Sequence, residues 1–238
     1  MRHLQFLILL MSISLACARA NAQATSLGEN APEIFAKGMN ALRGSSATRS
    51  IPNAVEYFPH SAELGFAPAQ VVLGYLYDTG RAITADPREA LEWYKKAAQQ
   101  DDPLAQWLVG RMIYAGLVPP RDLNAAQKWL EKSGQHGDPF ADYLLGKIAL
   151  DRSDFSRSES EFRLASEQGL PQAQRALAQL LRDGHGAAPD YFQAYVWLLV
   201  SYDGGLRDAT TDLQALEAEL SSTQIEQAKS KAATLKAR

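Results

Sequence analysis

The chain has one cysteine, Cys17, in 238 residues. A single thiol forms no intrachain disulfide and cannot supply the thiolate set of a structural zinc site, so the fold must hold by packing alone. Long apolar runs are scarce as well. Past residue 22 none approaches the roughly 20 residues that a membrane-spanning helix needs. Excess positive charge is absent: 24 Lys and Arg stand against 27 Asp and Glu. That balance argues against wholesale binding of nucleic acid. A phosphate loop is missing too, because Gly184-His185-Gly186 lacks the lysine and serine of such a loop and reads as a turn.

The one apolar run is at the start. MRHLQFLILLMSISLACARANAQA has a basic opening at Arg2, an apolar stretch from Leu4 to Cys17, and alanines at 18, 20, 22 and 24 that offer A-x-A cleavage sites. This is the layout of an export signal over residues 1–22, cut between Ala22 and Gln23. A competing reading takes Leu15-Ala16-Cys17 as a lipoprotein box, with Cys17 as a lipid anchor, although Ser14 stands where a bulky aliphatic is usual. Removing Arg2 and Arg19 with the leader leaves 22 basic against 27 acidic residues. Residues 23–30 form a short linker.

The remainder repeats itself. Steps of 36 residues carry Gly38 to Gly74, Gly110 and Gly146, and a step of 32 follows to Ala178. The same offsets relate Ala54, Ala90, Ala126, Ser158 and Ala194, and likewise Tyr57, Trp93, Trp129, Glu161 and Trp197. A period in this range marks stacked helix pairs. The four-residue shortening falls in KIALDRSD, a connection. Each unit divides into two helices. In AQVVLGYLYDT, residues 69–79, Val72, Leu73, Leu76 and Tyr77 share one face, and Gly80 provides a left-handed stop. Asp86-Pro87 opens the second helix with a carboxylate cap and a proline in the first turn, and Ser50, Asp122, Asp154 and Asp190 stand in register with Asp86. In the second helices, Ala90, Trp93, Tyr94, Ala97 and Ala98 share a face. Trp93, Trp129 and Trp197 are expected as core wedges, with Glu92 and Lys96 paired on the wet side. At the end, Leu220 and Ile225 can staple around a Ser221/Gln224 capping box, and Ile225, Ala228, Ala232 and Leu235 make an apolar stripe.

APAQVVLGYLYDTG followed by DPREALEWYKKAA reproduces the pattern AxAQxxLGxxYxxG and DxxxAxxWYxKAA. By these residues the chain resembles the Sel-1-like repeats, a branch of the tetratricopeptide-like helical solenoids. The resemblance covers about residues 31–238 and is strongest over 67–138. It implies an all-α, right-handed α-α superhelical solenoid of five helix pairs (31–66, 67–102, 103–138, 139–170, 171–208), closed by capping helices over 209–238. It also implies binding rather than turnover: an exported scaffold, adaptor or regulator of the bacterial cell envelope, periplasmic or secreted, with no cofactor. In the family the first helices line the concave side.

Variation among the repeats locates the expected site. Counting from Ala69, Ala105, Ala141 and Ala173, offsets +2, +6 and +9 lie within roughly 60° on a helical wheel. They read Val71, Tyr75, Asp78; Trp107, Arg111, Tyr114; Tyr143, Lys147, Leu150; and Arg175, Gln179, Arg182. The partner-binding residues drawn from this stripe are Tyr75, Trp107, Arg111, Tyr114, Tyr143, Lys147, Arg175 and Arg182. Tyrosine, tryptophan and arginine are the types favoured at binding hot spots. The stripe's positive character suits a protein or peptide partner that is acidic or carries aromatic groups. The alternative is a cell-wall- or glycan-directed binding protein or hydrolase using the same groove. Catalytic groups do not assemble on this pattern: His60, His136 and His185 fall at unrelated repeat offsets, which disfavours a metal site, and no serine or cysteine nucleophile is set beside a histidine.

Overall fold

The computed structural model describes residues 31–43, 51–185 and 187–236. The expected export signal, the linker, Cys17 and the Ser50 cap lie outside the described residues. Those described form twelve α-helices and one short 3-10 turn, with no strand among them. The chain divides into two compact units, one ending at Asp122 and the other beginning at Leu123. The division falls between the two helices of the expected 103–138 pair.

The N-terminal unit holds α1 (Ala31–Arg43), α2 (Ile51–Glu63), α3 (Ala67–Thr79), α4 (Pro87–Ala98) and α5 (Pro103–Tyr114). Helix α1 packs on α2 and α3 on α4, while α2 meets α3 and α4 meets α5. The C-terminal unit holds α6 (Leu123–Gly134), α7 (Pro139–Asp151), α8 (Phe155–Glu167), α9 (Pro171–Asp183), α10 (Tyr191–Asp203), α11 (Thr210–Glu217) and α12 (Ser222–Lys236). Here α7 pairs with α8 and α9 with α10, and α11 and α12 both pack on α10.

Each boundary has a local cause. Asp86 accepts from the amides of Arg88 and Glu89, Asp154 from Arg157 and Asp190 from Gln193, as expected of N-caps. Asp102 and Asp138 cap α5 and α7 in the same way, each followed by proline. Gly80 and Gly184 close α3 and α9 with φ of 67° and 63°. The shortened connection after α7 has no glycine, and Ser153 takes the left-handed conformation there, at φ 60°.

The core rests on a ring set into a helix rather than on the tryptophans. Phe58, Tyr94 and Phe162 are almost completely buried. A Cβ at Gly38, Gly74 or Gly146 would lie 2.7, 2.7 or 2.5 Å from the facing ring, so glycine on the first helix of each pair is a seat for the aromatic on the second. This corrects the expectation for Trp93 and Trp129. Both are half-buried, with Lys96 Nζ 3.6 Å from the Trp93 ring centre and Lys132 Nζ 4.9 Å from that of Trp129. Only the next residue along the helix turns fully inward, as at Tyr94 and Leu130. Trp197 is a true wedge, 5% exposed. Glu92 pairs with Lys95, not Lys96, which lies over Trp93 instead.

A recurrent polar link fastens α3, α5 and α9 each to the helix before it. The buried Gln70, Gln106 and Gln174 side chains donate to the carbonyls of Ala62, Ala98 and Ser166, each eight residues earlier. At the C-terminus the capping box forms as expected: the Ser221 amide donates to Gln224 Oε1 and the Gln224 amide to Ser221 Oγ. Ala228 and Ala232 are buried, with Ile225 and Leu235 packed against the same core.

Candidate functional site

In the N-terminal unit the stripe residues mostly satisfy one another. Arg111, on α5, makes a short ion pair with Asp78, at the end of α3, and also lies 5.7 Å from the Trp107 ring centre. Both ion-pair partners are largely shielded from water, with side-chain exposures of 31% and 15%. Arg121 lies 4.8 Å from the Tyr114 ring centre and donates from Nε to the Tyr114 carbonyl. Tyr75 and Trp107 are half-buried. Val71 is 1% exposed and belongs to the core, because an aliphatic at this rung packs instead of facing solvent. The stripe here is therefore an internally balanced surface, and its arginine is committed to Asp78.

In the C-terminal unit the same rungs open into a cleft of about 440 Å³ between α7 and α9. Tyr143, Lys147 and Leu150 form one wall; Arg175, Ala176 and Gln179 form the other. Phe162 and Leu180 contribute apolar floor, and Asp183 and His185 stand at the α9 C-terminal end. The spacing accounts for the wall: positions 143, 147 and 150 are four and three residues apart and share a helical face. Lys147 Nζ lies 5.9 Å from the Tyr143 ring centre. Burial raises the Tyr143 pKa above its ordinary value, with Arg175 opposing, so the phenol remains a neutral hydrogen-bonding group.

The arginines of this unit are held from outside the stripe. Asp212, on α11, stands 3.5 Å from Arg175 and 3.7 Å from Arg182. Arg182 also bonds Asp183 at 2.7 Å. It does not line the cleft, whereas Tyr143, Lys147 and Arg175 do. Sequence reasoning missed Asp212, Phe162 and His185. Asp212 carries no repeat-register signal, since it lies in the cap. His185, taken as a turn residue, stacks on Phe155 with ring centres 4.6 Å apart and planes 8° from parallel.

Asp142, beside Tyr143 but buried, occupies the place that glutamine holds in the other units. A carboxylate cannot donate to the carbonyl eight residues earlier, and it accepts from Gln168 at 3.0 Å instead. Burial, reinforced by the charge of Glu161, pushes its pKa up to about 6. Among the described residues no cluster of three or more His, Cys, Asp or Glu is placed to hold an ion.

Helix pairs joined by repeated glycine-to-ring seats and glutamine links define a helix-pair repeat protein of the solenoid class. The particular repeat is Sel1. The family's profile matches residues 67–102, 103–138 and 171–206, so the chain carries three Sel1 repeats. Sel1-repeat proteins are generally non-catalytic scaffolds that mediate protein–protein interaction. Among solved structures, the chain is similar to a Sel1 repeat protein from Oxalobacter formigenes (23% identity, 86% of this chain and 88% of that one, TM-score 0.68). It is also similar to a protective antigen of uropathogenic Escherichia coli with an SLR fold (24% identity, 86% of this chain, TM-score 0.60). The chain spans about half of that antigen, 53%. An immunity protein from Pseudomonas aeruginosa matches at 24% identity over 88% of this chain and 83% of its own, with TM-score 0.50. At these identities the likeness is one of fold. No curated protein sequence matches the chain.

Proposed function

We propose that this protein is an exported scaffold or regulator of the bacterial cell envelope that grips a segment of a partner protein along its first-helix stripe. The cleft between α7 and α9 carries the reading: it combines apolar floor, an aromatic wall and a lysine in one concavity, the composition of a recognition site. The export layout of residues 1–22 supports periplasmic or secreted location.

Photo-crosslinking from Gln179 in the native envelope tests the reading. A discrete protein adduct that disappears when Tyr143 and Lys147 are both replaced by alanine, with folding intact, is expected. Absence of an adduct from every stripe position, or turnover of muropeptides by the purified protein, overturns it. The intact mass of the exported form tests the leader: a chain beginning at Gln23 is expected, and a diacylated Cys17 would establish the lipoprotein alternative.

A further inference from the structure

We propose that the α7/α9 cleft recognises a short partner segment in which a glutamate or aspartate lies beside an apolar or aromatic side chain, with Lys147 taking the carboxylate. This rests on the reading above and narrows it to one place and one chemistry. The cations of the stripe are not equivalent. Arg111 is committed to Asp78, and Arg182 to Asp183 and Asp212. Arg175 faces Asp212. Lys147 has no ion-pair partner among the described residues, and it lies in the cleft wall between Tyr143 and Leu150.

A lysine partly buried in a cleft wall attracts a carboxylate more strongly than one in open water, because the local dielectric is lower. Tyr143, Leu150 and Ala176, partly exposed in the same lining, then offer the adjacent side chain a surface to bury. The charge arithmetic also selects the anion. A phosphoryl group carries close to two charges and is best met by the paired donors of arginine. Here the neighbouring arginines already face carboxylates, and Asp183 stands at the cleft's end. One lysine with acids nearby suits a single carboxylate. The volume, about 440 Å³, is that of a site for a few side chains.

The test is selection of a displayed library of random dodecapeptides on the exported form of the protein and on its Lys147→Gln and Lys147→Arg variants. On the unaltered protein, peptides with an acidic residue next to Phe, Tyr, Trp, Leu or Ile are expected to be enriched. Fluorescence anisotropy should show an enriched peptide losing about tenfold in affinity when its acid is replaced by the amide, and a similar loss on Lys147→Gln, with Lys147→Arg retaining most of the binding. Enrichment without an acidic residue, no enrichment at all, or equal binding to Lys147→Gln overturns the proposal. A concentration-dependent dimer abolished by Lys147→Gln reassigns the cleft to a second copy and overturns it too. If the envelope adduct from Gln179 forms equally well with Lys147→Gln, the carboxylate preference falls while the scaffold reading stands.

Discussion

The two units build their packing alike and spend their surface charges differently. Tyr94 in the N-terminal unit and Phe162 in the C-terminal unit are equivalent rings on equivalent glycine seats. The stripes above them diverge: Arg111 meets Asp78 within the N-terminal stripe, whereas in the C-terminal unit the acid that faces the arginines comes from the cap, and Lys147 is left to the cleft. The lesson is that a repeat keeps its interior under one packing rule while each copy's exposed rungs are free to serve a different end.

The largest expected effect tests the shared interior. Tyr94→Ala and Phe162→Ala should each cost about 3 to 5 kcal/mol in denaturant unfolding, the ordinary loss for a buried aromatic. Trp93→Ala should cost only about 1 kcal/mol, since its ring is half-exposed beneath Lys96. A loss at Trp93 equal to that at Tyr94 would restore the tryptophan as the wedge.

Next comes the divergence of charge. Arg111→Met leaves Asp78 largely buried without its partner and should destabilise the protein by about 1 to 3 kcal/mol. Lys147→Gln should change stability by less than about 0.5 kcal/mol. Equal costs would make Lys147 a structural cation and erase the contrast between the stripes.

A smaller effect should follow pH. Asp142 has a folded-state pKa near 6, above the 3.8 of an ordinary aspartate, so the folded protein binds its proton more tightly than the unfolded chain does. Stability from this group is therefore present at low pH and is lost as pH rises from about 4 through 6. Asp142→Gln also restores the donor found at Gln70, Gln106 and Gln174. It should raise stability at pH 7 by about 1 kcal/mol and give little advantage below pH 4. Urea midpoints for both proteins between pH 4 and 7 provide the check.

Much of the fold was legible because its signals are local and repeated. Asp86, Asp154 and Asp190 act as caps within three residues of themselves, and Gly80 and Gly184 close their helices by backbone conformation alone. Asp102 and Asp138 were equally readable as Asp-Pro starts. The tryptophan expectation failed for a geometric reason: Trp93 and Tyr94 are neighbours about 100° apart on the helix, and a face drawn through both cannot say which one points at the glycine seat. The stripe was readable as a set of positions. Its charge state was not, because whether Arg111 meets Asp78, 33 residues away, depends on how adjacent helices align.

The sequence by itself determined the period, the helix pairs, most of their ends and the Sel1 kinship, since each follows from short-range spacing and residue type. Only the tertiary structure decided which aromatic is buried, that Asp212 of the cap faces Arg175 and Arg182, and that the rungs at Tyr143 and Lys147 border a cleft. Those outcomes depend on distances between side chains far apart along the chain, and such distances exist only once the helices have packed.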